Sequence, residues 1–149
     1  LNSLERIDEA ISCFENAINI APNDLLGHFN LGMALKSSNK IANAINSFEK
    51  VIEIDPNNGE SYYFLGELYR LSKQFNAALV SFEKAFSLNP NIDFLIGALL
   101  NTKMNLALWK DYEEHIEILK HCPHIYLNYY LLINLMKLLL WLVLFYFLV

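Results

Sequence analysis

The sequence predicts an all-α fold, a solenoid of helix–turn–helix repeats ending in a hydrophobic helix, and three observations carry that prediction. Three segments line up at an offset of 34 residues: AISCFENAINIAPND from Ala10, AINSFEKVIEIDPNN from Ala44 and ALVSFEKAFSLNPNI from Ala78. Inside each, apolar residues recur every three to four positions, as at Ile45, Phe48 and Ile52, which gathers them on one face of a helix. Pro56 and Pro90 then hold the residue before them in extended backbone, so a helix must stop just ahead of each.

The offset superposes Ala10 on Ala44 and Ala78, Phe14 on Phe48 and Phe82, and Pro22 on Pro56 and Pro90. Upstream, Leu31-Gly32 matches Leu65-Gly66, and Leu35 matches Tyr69. In this register the array covers residues 1–92. Its first unit, 1–24, is incomplete: residues 1–4 are the tail of a first helix and residues 7–20 form a second. Units 25–58 and 59–92 carry both helices. Asn and Asp in PND, PNN and PNI suit turns and helix starts. Gly32 and Gly66 on the first helices, with Ala44 and Ala78 on the second, allow close helix approach, and Phe48 and Phe82 fill the gap to neighbours.

A degenerate fourth unit is expected over 93–122. Leu99-Leu100 stands where Leu-Gly belongs, and Trp109 takes the apolar position of Ile7, Ile41 and Phe75. Ile116 replaces the phenylalanine. Tyr112 replaces the small alanine, so the two helices of this unit must pack differently.

Residues 126–149 change physical class, with Lys137 as their one charge. As a helix, residues 131–149 would extend about 28 Å, close to the ~30 Å hydrocarbon core of a bilayer. Lys137 costs up to about 3 kcal/mol at mid-membrane, which the leucines and phenylalanines outweigh. Lys103, Lys110 and Lys120 precede the span and no charge follows it, so a membrane anchor would leave the repeats cytoplasmic. Two other readings stand beside the anchor: an out-of-frame or truncated tail, and a helix capping the last face of the solenoid.

The 34-residue period with Leu-Gly…Tyr…Ala…Phe…Pro resembles the tetratricopeptide repeat (TPR) family over residues 1–92, with His28 where the family usually has Trp and Leu35 where it has Tyr. The resemblance implies a superhelix whose first helices line a concave groove, and hence a protein or peptide partner. By helical spacing the groove candidates are Leu26, Phe29, Asn30, Met33 and Lys36, then Glu60, Tyr63, Phe64, Glu67 and Arg70. Apolar residues at such spacing usually pack, so Phe29, Met33 and Phe64 are equally candidates for core between repeats. Glu67 and Arg70, three apart, have the spacing of a solvated surface pair worth a few tenths of a kcal/mol.

The stretch NPNIDFLIGALLNTKMNLALWKDYEEHIEILK (89–120) resembles the segment where bacterial relatives of the O-linked N-acetylglucosaminyltransferase family leave their repeats, a motif that runs much like DFLxGxLLxTKMxLxxWxDYE. That family receives protein substrates partly through an asparagine in NLG on its first helices. Asn30 in FNLG matches, whereas unit three has Phe64 and unit four Ala98. The resemblance implies the non-catalytic repeat region of a glycosyltransferase, with the sugar-nucleotide-binding domain missing.

Nothing in the residues announces an active site. The net charge of −5 and the lack of a basic block argue against nucleic acid. Cys13 and Cys122 are far apart and read as free thiols. HCPH at 121–124 lacks further ligands at metal-site spacing, and Asp111, Glu113, Glu114 and Glu117 read as a solvated face. The five glycines build no phosphate loop. The sequence therefore predicts a non-catalytic interaction module with no metal and no cofactor.

Overall fold

The computed structural model describes residues 3–106, which lie in one compact unit, Leu1–Leu106. A second unit, Ala107–Val149, falls outside the described residues, and with it the expectations for Trp109, Tyr112, Ile116, the histidines after His28 and the hydrophobic tail. Among the described residues there are six helices and no strand: α1 (Ser3–Ile20), α2 (Leu25–Ser37), α3 (Ile41–Ile54), α4 (Gly59–Leu71), α5 (Phe75–Leu88) and α6 (Leu95–Asn105). None of them is long and apolar enough to cross a membrane.

The helices end where the sequence provides a reason. After α2 and α4 the chain turns through Asn39 and Lys73, both at φ 59°. There the Lys40 and Gln74 amides donate back to the Leu35 and Tyr69 carbonyls at 2.9 and 2.8 Å, a six-to-one closure that satisfies carbonyls at the helix end. After α3 and α5, Asp55 and Asn89 use a side-chain oxygen to accept from the amide two residues on, at Asn57 and Asn91, each 3.0 Å. These two turns span Pro56 and Pro90 one period apart, so the punctuation repeats as faithfully as the helices. Asn58 caps α4, its Oδ1 accepting from the Ser61 amide at 2.9 Å.

Two boundaries differ from the sequence reading. No turn separates residues 1–4 from 7–20; α1 is one helix from Ser3 to Ile20. The position that matches Asn39 and Lys73 is Glu5, in the run SLERI, whose leucine, glutamate and arginine are good helix formers. In α6 the start slips. The residue matching Asp24 and Asn58 is Ile92, and the helix begins only at Leu95. Phe94 precedes it in the left-handed region at φ 64° and is 68% exposed.

Each helix packs chiefly on its neighbours in the chain, and α4 also touches α6. One apolar cluster joins α1 to α4 through Ile11, Leu31, Leu35, Ala44, Phe48, Leu65 and Leu68; a second joins α5 and α6 through Ala78, Phe82, Ala85, Leu95 and Leu99. Phe48 and Phe82 are wholly buried, and each ring packs against the glycine of its own repeat. A Cβ on Gly32 would stand 2.9 Å from the Phe48 ring, and one on Gly66 would stand 2.5 Å from the Phe82 ring. Full burial of each such ring contributes roughly 1.5–3 kcal/mol. The glycines therefore admit the aromatic ring as well as the partner helix.

Candidate functional site

The ten groove candidates lie on α2 and α4, the first helices of successive repeats, and none is fully buried. The face they form has an aromatic floor. Phe29 meets Phe48 edge-on (ring centroids 5.5 Å) and Phe64 edge-on (5.7 Å), while Phe48 and Phe64 are stacked at 5.4 Å. Offset and edge-on pairs of this kind add about 0.5–1.5 kcal/mol beyond the area they bury. Phe29, Met33 and Phe64 thus serve the core between repeats, each packed on the first apolar cluster, and keep only part of their surface for the face. Asn30, Glu60 and Leu26, the last at 66%, are exposed.

Polar groups sit over this floor at two places. The Lys36 ammonium lies 4.9 Å from the Phe64 ring centroid, a cation–π contact that carries positive charge from α2 toward α4. On α4, Arg70 grips Glu67 with two bonds, Nε to Oε1 at 3.1 Å and Nη2 to Oε2 at 2.9 Å. The spacing predicts a solvated pair, but Glu67 is only 15% and Arg70 33% exposed at the side chain. The pair is thus partly sheltered, and its two-point geometry is the kind that holds orientation.

Tyr63 joins the two parts. Its ring contacts Phe64 at 5.3 Å and Phe82 at 5.9 Å. Burial raises the pKa of its hydroxyl above the ordinary tyrosine value; the negative charges of Glu67 and Asp93 push the same way and Arg70 opposes them. Asp93, at the turn into α6, is therefore part of this electrostatic neighbourhood, although its helical spacing did not mark it. The face offers aromatic edges, one half-buried cation, one fixed ion pair and a tyrosine hydroxyl that stays protonated at neutral pH.

Two interrepeat links escaped the sequence reading. The Tyr69 hydroxyl donates to Glu49 Oε1 at 3.3 Å, and Lys103 Nζ lies 3.6 Å from Glu83 Oε1. The 34-residue offset relates Tyr69 to Lys103 and Glu49 to Glu83, so the signal was present in the alignment. His28 is buried at 8% exposure, and its Nε2–H donates to the Pro22 carbonyl at 2.9 Å, tying α2 to the preceding turn. A cleft beside it is lined by Ile18, Pro22, Asn23, Lys50, Glu53 and Ile54. Among the described residues, no group of three or more His, Cys, Asp or Glu side chains is placed to hold a metal ion.

Paired helices stacked in chain order, with a mixed aromatic and charged face on the first helix of each pair, define a helical-repeat scaffold. Models of the tetratricopeptide repeat match residues 1–24, 26–58 and 59–92, well over half of the chain, which belongs to the tetratricopeptide repeat family. No curated protein matches the sequence as a relative. Among solved structures, the chain is similar to MamA with 22% identity and a TM-score of 0.69, covering 74% of this chain and 65% of that one. It is similar to the first TPR of Spaghetti (RPAP3) bound to the HSP90 peptide SRMEEVD, with 20% identity and a TM-score of 0.66, covering 69% of this chain and 82% of the other. It is also similar to YrrB, a TPR protein with an unusual peptide-binding site, with 24% identity and a TM-score of 0.66, covering 72% and 56% respectively. The chain thus spans less than two thirds of the MamA and YrrB chains. These likenesses establish the fold.

Proposed function

We propose that this protein is an interaction module that takes an extended peptide or a partner helix along the concave face made by α2 and α4. What supports the reading is Lys36 over Phe64, Tyr63 against Phe64 and the Glu67–Arg70 pair, with Asn30 exposed on α2. Phe29, Met33 and Phe64 form its apolar floor. Solved TPR structures of the same fold, one holding the peptide SRMEEVD and one described with a peptide-binding site, support the class of ligand. An extended peptide can lay alternate side chains on such a face while its backbone is held by amide and charged groups.

The test is a binding series against a peptide captured from a display library. Asn30→Ala and Tyr63→Ala should weaken binding more than Glu15→Ala, which lies on α1 and off this face. Equal losses from all three would refute the assignment.

A second reading rests on residues 89–120: the chain is the non-catalytic repeat region of a glycosyltransferase-like protein related to the O-linked N-acetylglucosaminyltransferase family. In that reading residues 1–92 are the array, with a partial first unit 1–24 and units 25–58 and 59–92, and residues 93–122 are a worn fourth unit. The gene's nucleotide sequence decides it: a frame change near codon 121 that restores a sugar-nucleotide-binding domain would favour this reading over the first. In the first reading, residues 126–149 anchor cytoplasmic repeats to a membrane. Carbonate-resistant membrane association that is lost on deleting those residues tests this, and full-length protein recovered in the soluble fraction refutes it.

A further inference from the structure

Leu26, Glu60 and Phe94 share one position of the 34-residue register, at the starts of α2 and α4 and just ahead of α6. All three are exposed, Leu26 at 66% and Phe94 at 68%. Glu60 is so although α4 has a first helix on either side, α2 through the Phe29–Phe64 ring contact and α6 through its own contacts. The position therefore stays open inside the array and does not owe its exposure to a chain end. The row it makes is apolar, acidic, apolar, with a second exposed carboxylate, Asp93, next to Phe94. Neither Glu60 nor Asp93 is in an ion pair among the described residues. The charge of Asp93 is felt at Tyr63 on α4, so the row borders the α2–α4 face.

Phe94 is costly for the fold to keep. Asn39 and Lys73 also have positive φ, but each follows a helix whose last carbonyls its turn satisfies. Phe94 precedes a helix, makes no side-chain cap, and holds an exposed ring in the left-handed region. An outlier that the fold does not repay points to a use outside the fold. We propose that this row reads the peptide taken by the α2–α4 face: Leu26 and Phe94 each hold an apolar side chain of the peptide, and Glu60, with Asp93, holds a lysine or arginine between them. Packed helices stand about 8–10 Å apart, a distance that extended chain covers in about three residues. The ligand class is thus an extended peptide whose basic residue has an apolar residue about three positions away on each side. The inference rests on the peptide-binding reading and names the sequences such a face selects.

Two display libraries of otherwise random peptides serve as probes against the full chain. One fixes a lysine between two leucines at that spacing; the other puts glutamate in the lysine's place. The lysine library should yield binders and the glutamate library should not. Followed by fluorescence anisotropy, an enriched peptide should bind Glu60→Lys about tenfold more weakly, and glutamate in place of its lysine should restore binding to that variant. Leu26→Ser and Phe94→Gly should each weaken binding about as much. Phe94→Gly should do so while its urea midpoint rises, which separates a lost contact from a lost fold. Equal yields from the two libraries overturn the inference and leave the α2–α4 face standing. So do binders that need Tyr63 but ignore both Phe94→Gly and Glu60→Lys. If neither these libraries nor a fully random one yields a binder, the face itself is refuted and the inference with it.

Discussion

The Tyr69 hydroxyl reaches back from α4 to Glu49 on α3, 3.3 Å away, and so bonds a first helix to the second helix of the preceding repeat. One period later the same two positions hold Lys103 and Glu83, 3.6 Å apart. One period earlier they hold Leu35 and Glu15, which cannot bond. The repeat thus keeps the place of the link in two successive units and varies its chemistry from hydrogen bond to ion pair.

Alkaline titration should expose the tyrosine links. Burial raises the pKa of both Tyr63 and Tyr69 above 10.0, and the charges of Glu67 and Asp93 near Tyr63, and of Glu49 near Tyr69, add to the rise. A raised acid favours the neutral form in the folded state, so its contribution is fully present below pH 10 and is lost as the pH climbs through the folded-state value. Urea midpoints measured from pH 8 to 11 should therefore fall more steeply for the parent than for the Tyr63→Phe/Tyr69→Phe double variant. Identical slopes above pH 10 would contradict the assignment.

Gly32→Ala and Gly66→Ala provide a test with opposing terms. In an isolated helix alanine gains about 1 kcal/mol over glycine. Here the added Cβ would meet an aromatic ring at 2.9 Å and 2.5 Å respectively, and overpacking of this kind costs roughly 1–3 kcal/mol. Net destabilisation is expected for both, larger at Gly66, read from urea unfolding at neutral pH. A stabilised Gly66→Ala protein would show that the ring moves aside freely.

Removing the rings should be more severe. Phe48→Ala and Phe82→Ala each leave a buried void and should cost about 3–5 kcal/mol. Phe48 stacks on Phe64 and meets Phe29, so its loss should also disturb the α2–α4 face. Peptide binding measured below the unfolding transition should weaken for Phe48→Ala more than for Phe82→Ala.

Phe94→Gly should stabilise. A bulky residue in the left-handed region costs about 1–2 kcal/mol, and Phe94 is 68% exposed, so its ring returns little packing. An increase in stability of about 1 kcal/mol is expected from thermal or urea unfolding. A loss would mean the ring holds contacts worth more than the strain.

The repeat itself was legible because its residues do one thing each. A phenylalanine every 34 positions must be buried, a proline must end a helix, and a glycine beside leucine must sit in a close contact; these demands are local and recur. The α1 boundary was harder, since a period implies a turn at Glu5 that local helix propensity removes. The α6 start, two residues later than the period implies, follows Phe94 in the left-handed region, which spacing does not reveal. On α2 and α4, spacing gave candidates for the face but not the degree of shelter of each. The Glu67–Arg70 pair looks like any surface pair until its 15% and 33% side-chain exposures are known. Asp93 was missed because it lies in a turn, where helical periodicity says nothing.

The preference of each helix for its neighbours in the chain has a kinetic consequence. Contacts between sequence neighbours close short loops, and chains rich in them fold fast. Each described helix can therefore dock as soon as the one after it has been synthesised. That schedule favours assembly on the ribosome over aggregation.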